Sequence, residues 1–526
     1  MKLKTLALSL AVGGVLAAPA RAQFDAAQVK PEPALVAQRY PDPVLPYQTP
    51  GLHPGRTDLT SHSEVWAYLR QLAAKNPSLR LETVDTSQQG LGIPLVLLSA
   101  NGHFQDDKPT VLILGQQHGN EPAGGEAALA LAQQLSTSHS HLLASVNVLI
   151  MPRANPDGAQ NFVRASANGL DVNRDHLLLQ TPEARAIAAT ALRFAPQVVV
   201  DLHEFTVGGR WIDKFGAYSK YDALLQAATV GNMDAGVADL ALREFVASAR
   251  SALESQGLNT FWYHTTSNDA KDTVVSMGGV QADTGRNVYG LRHAVSLLIE
   301  SRGVGIGRAH YARRVHSHVL AALAVLKSAG AQGPALVQAV ATARQAATRA
   351  ACAGDMVVQA QATPAREELH LVDAKTGADR TESVDWRSSL TLKIQRTRSR
   401  PCGYWLAQNQ TGAVENLRAL GVQIRPLLQD RSARVESYRV LSETGGQRQD
   451  ARGAIAAQQA IRELTVATDA AQRQLPAGSW YVPMNQPLGA LVAAALEPDS
   501  QNSFVANHVL SVDANALLRV MQPLAD

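Results

Sequence analysis

Cysteine is almost absent from this chain: Cys352 and Cys402 are the only two in 526 residues. That scarcity excludes a closed metal site built from four thiolates. Aromatic residues make up only 5%, and 48 basic residues are nearly cancelled by 45 acidic ones, leaving a net charge of +3. Such a surface offers neither the positive field nor the stacking platforms that a nucleic-acid partner requires. Beyond the N-terminus no uninterrupted apolar run reaches the ~18 residues of a membrane-spanning helix. Charged residues are sparse at 18%, against 46% hydrophobic, which excludes a disordered chain and leaves a large globular one. The length favours one enzyme-sized domain with a smaller companion.

The first residues carry an address. Lys2 and Lys4 precede an apolar run from Leu6 to Ala18 that ends in Ala20-Arg21-Ala22, the pattern of a cleavable signal peptide over residues 1–22. The expected location is periplasmic or secreted, with no membrane span after cleavage. In an oxidising compartment Cys352 and Cys402 are candidates for one disulfide. Residues 23–60 hold Pro31, Pro33, Pro41, Pro43, Pro46 and Pro50, a density that disfavours helix and predicts an extended segment.

From Ser61 onward, short β-branched runs alternate with Ala/Leu stretches. This is the pattern of an α/β fold, a mixed, mostly parallel sheet flanked by helices, expected over residues 61–330. The texture turns to long Ala-rich helices at His310–Ala329 and Ala335–Ala351. Half-exposed strands at Met356–Ala360 and Ser389–Ile394 and helices at Val414–Leu420 and Leu488–Leu496 follow. Residues 331–526 are accordingly expected to form a smaller α+β accessory domain.

Four apolar runs read as buried strands: Thr110–Leu114, Val146–Met151, Gln197–Leu202 and Ser296–Ile299. Each is followed by an unusual polar segment: Gln117-His118-Gly119-Asn120-Glu121, Arg153-Ala154-Asn155-Pro156-Asp157-Gly158, His203-Glu204 and Glu300. Ligand sites of open α/β sheets form at the carboxyl ends of strands, so these segments are predicted to converge in one crevice.

His118 and Glu121 stand one turn apart before Pro122, where a helix is predicted to open. The spacing alone is weak, because His103/Asp106 and His370/Asp373 share it. His203 adds a nitrogen donor at another strand end. Together the three make a His2Glu set that leaves a position for water, a donor set that favours one catalytic zinc ion. Glu300 is the candidate general base, unless it is spent on an ion pair with Arg292 or Arg302. Asp171-Val172-Asn173-Arg174-Asp175 supplies a guanidinium suited to gripping a carboxylate, or else is a solvated polar loop.

These motifs, His118-Gly119-Asn120-Glu121, Asn155-Pro156-Asp157-Gly158, Asp171-Val172-Asn173-Arg174, Asp201-Leu202-His203 and Leu298-Ile299-Glu300, resemble in content and order those of the M14 zinc carboxypeptidases, the family of pancreatic carboxypeptidase A. The likeness spans roughly Ser61 to Gly307. It implies that His118, Glu121 and His203 bind zinc. It also implies that Glu300 activates water and then protonates the leaving amine, and that Asn173 and Arg174 hold the substrate's terminal carboxylate. Arg164 would stabilise the oxyanion, although Arg153 is also near in sequence, and Asp171 would fix the His118 ring. The substrate-capping tyrosine of the family has two candidates here, Tyr263 and Tyr289, of which Tyr289 is favoured. Arg286 and Arg292 could add further carboxylate or oxyanion contacts, and neither is assigned a role.

The implied activity is that of an exported carboxypeptidase acting on peptides with a free carboxylate. Two other readings stay open: a zinc amidase acting on cell-wall peptides or small acyl-amino acids, and an inactive peptide-binding protein.

Overall fold

A computed structural model describes residues 29–450, 453–455 and 460–524. The signal-peptide reading of residues 1–22 lies outside the described residues.

The apolar runs pair into an eight-stranded mixed sheet. Its strands lie in the order Leu79–Thr86, Gly92–Leu98, Asn147–Met151, Thr110–Gly115, Val198–Thr206, Val295–Val304, Ala223–Ala227, Thr260–Trp262. The four strands read from the sequence lie side by side and parallel at its centre. They are apolar on both faces because both faces are covered. Val111, Ile113, Val148, Ile150, Val198 and Val200 join one core with the helices Pro122–Leu135 and Tyr311–Arg349, while Leu112, Leu149 and Val199 join a second core. That alternation is the period of two inherent in a strand.

The chain leaves Thr110–Gly115 for a neighbour on one side, Asn147–Met151, and later returns to its other side with Val198–Thr206. This reversal opens a crevice at the carboxyl ends, the place where such sheets bind ligands.

His203, Glu204 and Glu300 lie inside their strands rather than after them. Pairing continues beyond the apolar runs, with Leu202 opposite Ile299 and His203 opposite Glu300. The proline-rich segment is mostly irregular, but Ala34–Ala37 forms one helical turn. Pro33 precedes that turn, where its missing N–H costs nothing. Glu32 from this segment is buried against Arg302 at 2.5 Å and His310 at 3.0 Å, tying the strap to the sheet. Ser61 caps the helix His62–Lys75 in a reciprocal box with Glu64.

The Ala-rich stretch is one 39-residue helix, Tyr311–Arg349, broken at Gly333 (φ 43°) before Pro334. It is apolar enough in composition to cross a membrane, yet Val315, Val319, Val325 and Leu326 are packed into the first core. The residues after it share structure with the first part. The long hairpin Asp355–Asp373 and Asp379–Ser399 pairs with the strands Ala217–Ser219 and Val275–Met277, and Tyr404, Leu417, Leu491 and Leu517 close the second core. A disulfide joins Cys352, just past the helix, to Cys402.

Candidate active site

The loop after Thr110–Gly115 and the strand Val198–Thr206 bring three donors together. His118 Nδ1 lies 2.8 Å from Glu121 Oε1, His203 Nδ1 lies 2.8 Å from Glu121 Oε2, and the two nitrogens are 3.0 Å apart. All three side chains are buried. Among the described residues this is the one group of three such donors able to hold a metal ion, so His103 and His370 take no part.

The outer ring nitrogens are already committed. His118 Nε2 meets Asp171 at 3.0 Å, and His203 Nε2 meets Asp201 at 2.8 Å. A carboxylate behind each imidazole fixes the ring and turns its other nitrogen inward, the arrangement that supports histidine ligands of zinc. Tetrahedral zinc with bonds of about 2.0–2.1 Å needs donors about 3.3 Å apart, a few tenths of an ångström wider than the separations here. The residues fit zinc in donor type, number and spacing.

The loop that presents His118 depends on Gly119. A Cβ there would lie 1.8 Å from the carbonyl carbon of Gly158, in the Asn155-Pro156-Asp157-Gly158 turn. Asn155 caps that turn through Gly158 N and also donates to Gln117 O at 3.1 Å. The two motif loops are thus one packed unit.

Charges in the site compensate one another. Burial raises the Glu121 carboxyl, but His118 and His203 outweigh it and hold it well below the usual carboxylate range. Burial likewise opposes ionisation of Asp171, and Arg164 with His118 holds it well below its usual value. Burial lowers the His203 imidazole, while Asp201 and Glu121 raise it well above the ordinary histidine value.

Of the trio, His118 and Glu121 line a cavity of about 190 Å³ with Arg164, Asn173, Arg174, Tyr263, Met277, Arg286, Leu298, Glu300 and Asp450. Arg164 is clamped by Asp171, with Nε at 2.9 Å from its carboxylate, and reaches Glu121 with Nη1 at 3.2 Å. Arg153 points elsewhere, donating to Gln116 and to Thr60 O. Asn173 Nδ2 lies 3.1 Å from His203 Nε2 and its Oδ1 accepts from Gly285 N. Glu300 lines the cavity, whereas Arg302 is paired with Glu32 and Arg292 donates to Leu420 O.

Tyr289 is the capping candidate that the sequence favours over Tyr263. It is buried in the second core, with its hydroxyl 3.4 Å from His176 Nδ1, and is not among the cavity-lining residues. Its helix, Gly285–Leu291, packs inward, while Tyr263 lines the cavity.

Two participants escaped the sequence reading. Asp201 stands two residues before His203 on one strand, so the period of two places both on one face; that signal was there to be used. Asp450 was beyond reach: it comes from the far end of the chain and binds Arg174 at 2.6 Å. Beside it, Arg448 donates to Arg174 O and pairs with Asp283 at 2.9 Å.

Comparison with known proteins agrees with this geometry. The family model described as zinc carboxypeptidase matches residues 65–203. Carboxypeptidase 2 of Trichophyton tonsurans is 29% identical over 475 residues, covering 88% of this chain and 86% of that one. Carboxypeptidase 2 of Trichophyton rubrum is 28% identical over 474 residues, with 88% and 86% covered. Carboxypeptidase SOL1 of Arabidopsis thaliana is 30% identical over 124 residues, covering 20% of this chain and 25% of that one. With the zinc-fitting trio in place, the zinc carboxypeptidase match over residues 65–203 and the similarity to carboxypeptidases along most of the chain indicate a zinc-dependent metallopeptidase.

Proposed function

We propose that the protein removes single C-terminal residues from peptides, with Glu300 as general base. The observation that carries this reading is the placement of Glu300 directly opposite His203 in the parallel register, lining the same cavity as His118 and Glu121. Zinc, when bound by His118, Glu121 and His203, supplies Lewis acidity toward water and the scissile carbonyl.

Glu300 takes the proton of the attacking water and delivers it to the leaving amine nitrogen. Arg164, held by Asp171, faces the developing oxyanion and shares its charge. Asn173 and Arg174 hold the substrate's terminal carboxylate, which takes the place of Asp450 on the Arg174 guanidinium. Tyr263 lies where an aromatic ring can cap the bound residue. The N-terminal leader pattern supports export to the periplasm or medium.

The experiment is metal analysis of the purified chain together with hydrolysis of a mixed peptide library, with and without chelator. One zinc per chain and chelator-sensitive loss of single C-terminal residues is the expected result. Zinc without peptide turnover, but with hydrolysis of acyl-amino acids or cell-wall peptides, would replace this reading by the amidase one. Zinc without hydrolysis of any of these would point to a peptide receptor.

A further inference from the structure

The cavity does not end at the metal-binding trio. Leu298 precedes Glu300 by two residues and so shares its face of the strand, and both line the cavity together with Met277, Gly278, Gly279 and Arg286. A substrate residue held by its terminal carboxylate near Asn173 and Arg174 would bring its side chain against this wall. The walls supplied by Leu298 and Met277 are apolar. The charge there is that of Arg286.

Arg286 is 5% exposed. Its Nη2 donates to Gly279 O at 2.5 Å, and among the described residues its buried Nε has no hydrogen-bond partner. No carboxylate of the described residues forms an ion pair with it, in contrast to Arg164, Arg174, Arg302, Arg314 and Arg398, which are each paired. Glu300 and Asp283 act on it only through the longer-range field, together with Tyr263, and Arg174 opposes them. Burial pushes its guanidinium down to about 10, so it remains charged at neutral pH.

The backbone makes room for this group. A Cβ at Gly278 would stand 2.5 Å from Arg286 Nη2 and 2.5 Å from Gln226 Oε1. Gln226 is itself pinned, accepting from Gly278 N at 3.1 Å and donating to Ser389 at 2.8 Å. Any side chain at position 278 would therefore fill the space the guanidinium occupies. Burying an uncompensated cation is costly, and the natural compensation at the wall of a substrate cavity is a charge brought by the substrate.

We infer that Arg286 sets specificity for an acidic terminal residue, binding the side-chain carboxylate of a C-terminal Glu or Asp. This rests on the exopeptidase reading above and adds the substrate class to it. A guanidinium without an ion-pair partner suits a carboxylate and repels a Lys or Arg side chain. Gln at the same position is nearly isosteric with Glu but lacks the charge, so the pair isolates the interaction. A charge-assisted hydrogen bond of this kind corresponds to a discrimination of about 10- to 100-fold.

The test uses the full zinc-loaded chain and matched peptides ending in Glu, Asp, Gln, Leu and Lys. The kcat/KM for Glu is expected to exceed that for Gln by about 10- to 100-fold, and the Glu/Gln ratio is expected to collapse toward one in Arg286→Met and to recover in part in Arg286→Lys. A ratio does not depend on the fraction of active enzyme, so partial misfolding of a variant does not mimic the result. Calorimetry with N-acetyl-L-glutamate and N-acetyl-L-glutamine supplies a readout independent of turnover, with the glutamate expected to bind more tightly by a similar factor. Absence of a preference for glutamate in both measurements overturns the inference, as does a Glu/Gln ratio that Arg286→Met leaves in place. Preferential binding of N-acetyl-L-glutamate with no release of terminal residues from any peptide supports the role of Arg286 and refutes the exopeptidase reading.

Discussion

Glu300 and His203 face each other across two adjacent parallel strands, one residue from each, in direct register. Residues paired in this way project to the same side of a sheet, so a one-residue slip of either strand would send the carboxylate to the opposite core. The buried pairs Leu298–Asp201 and Ile299–Leu202 on the preceding rungs hold the register. Glu300→Gln preserves size and rung and removes only the proton acceptor. Zinc content is expected to stay near that of the wild type while kcat falls about 10²- to 10⁴-fold, the usual weight of a general base. Metal analysis and steady-state kinetics on the same preparation check both halves.

Asp171 and Asp201 each stand behind one histidine of the trio, at 3.0 and 2.8 Å. Neither touches the position a metal would take, so their effect passes through the orientation and basicity of the rings. Asp201→Asn is expected to weaken zinc binding by about 10- to 100-fold. Asp171→Asn should do so too, and should also lower kcat, because Asp171 clamps Arg164. Competition with a chromophoric chelator measures the affinities. A loss of equal size in kcat for both variants at saturating zinc would contradict the separate duty assigned to Asp171.

Much of this arrangement was legible before any coordinates. The four central strands and their polar endings could be read because apolar runs and turn residues are local signals, and the sheet rule then gathers their ends. His118, Glu121, His203 and Glu300 followed from that rule and from the family likeness. The choice between Tyr263 and Tyr289 did not, because both stand in suitable sequence and the outcome depends on which way the helix Gly285–Leu291 packs. Asp450 and the unpaired state of Arg286 were hidden for a related reason. One is brought in from 276 residues away, and the other is defined by the absence of a carboxylate partner among the described residues, which only the packed molecule reveals.

Glu64 offers a stability test remote from the metal. Hydrogen bonds from Arg56 hold its carboxyl at about 2, with burial opposing and Ser61 assisting. In the unfolded chain it titrates near 4.5. Since the folded state favours the ionised form, the contribution is fully present above about 4.5 and is lost as the pH falls through about 2. Glu64→Gln keeps the size of the side chain and much of its capping ability while removing the charge. The side chain is 38% exposed, so solvent screening limits the loss to about 1 kcal/mol at pH 7. Denaturant unfolding at pH 7, 5, 4 and 3 should show the gap between variant and wild type narrowing only below about 4.5. A gap that widens on acidification would reverse the assignment.

The Asp450 carboxylate lies on the guanidinium that a peptide's terminal carboxylate requires, 2.6 Å from Arg174 Nη2. The two anions compete for one cation, so each substrate molecule binds only to the fraction of enzyme in which Arg174 has exchanged partners. Apparent affinity is reduced by that fraction. Asp450→Asn removes the competing charge but keeps the side chain's size. Its KM for peptides is expected to fall about 3- to 10-fold, with a smaller change in kcat because Asp450 touches none of the zinc-binding side chains. Raising the salt concentration should weaken the internal pair and the substrate's pair alike, so the KM advantage of the variant should shrink without reversing. If KM rises instead, Asp450 is orienting Arg174 for the substrate rather than competing with it, and Arg448, which pairs with Asp283 and donates to Arg174 O, becomes the next residue to substitute.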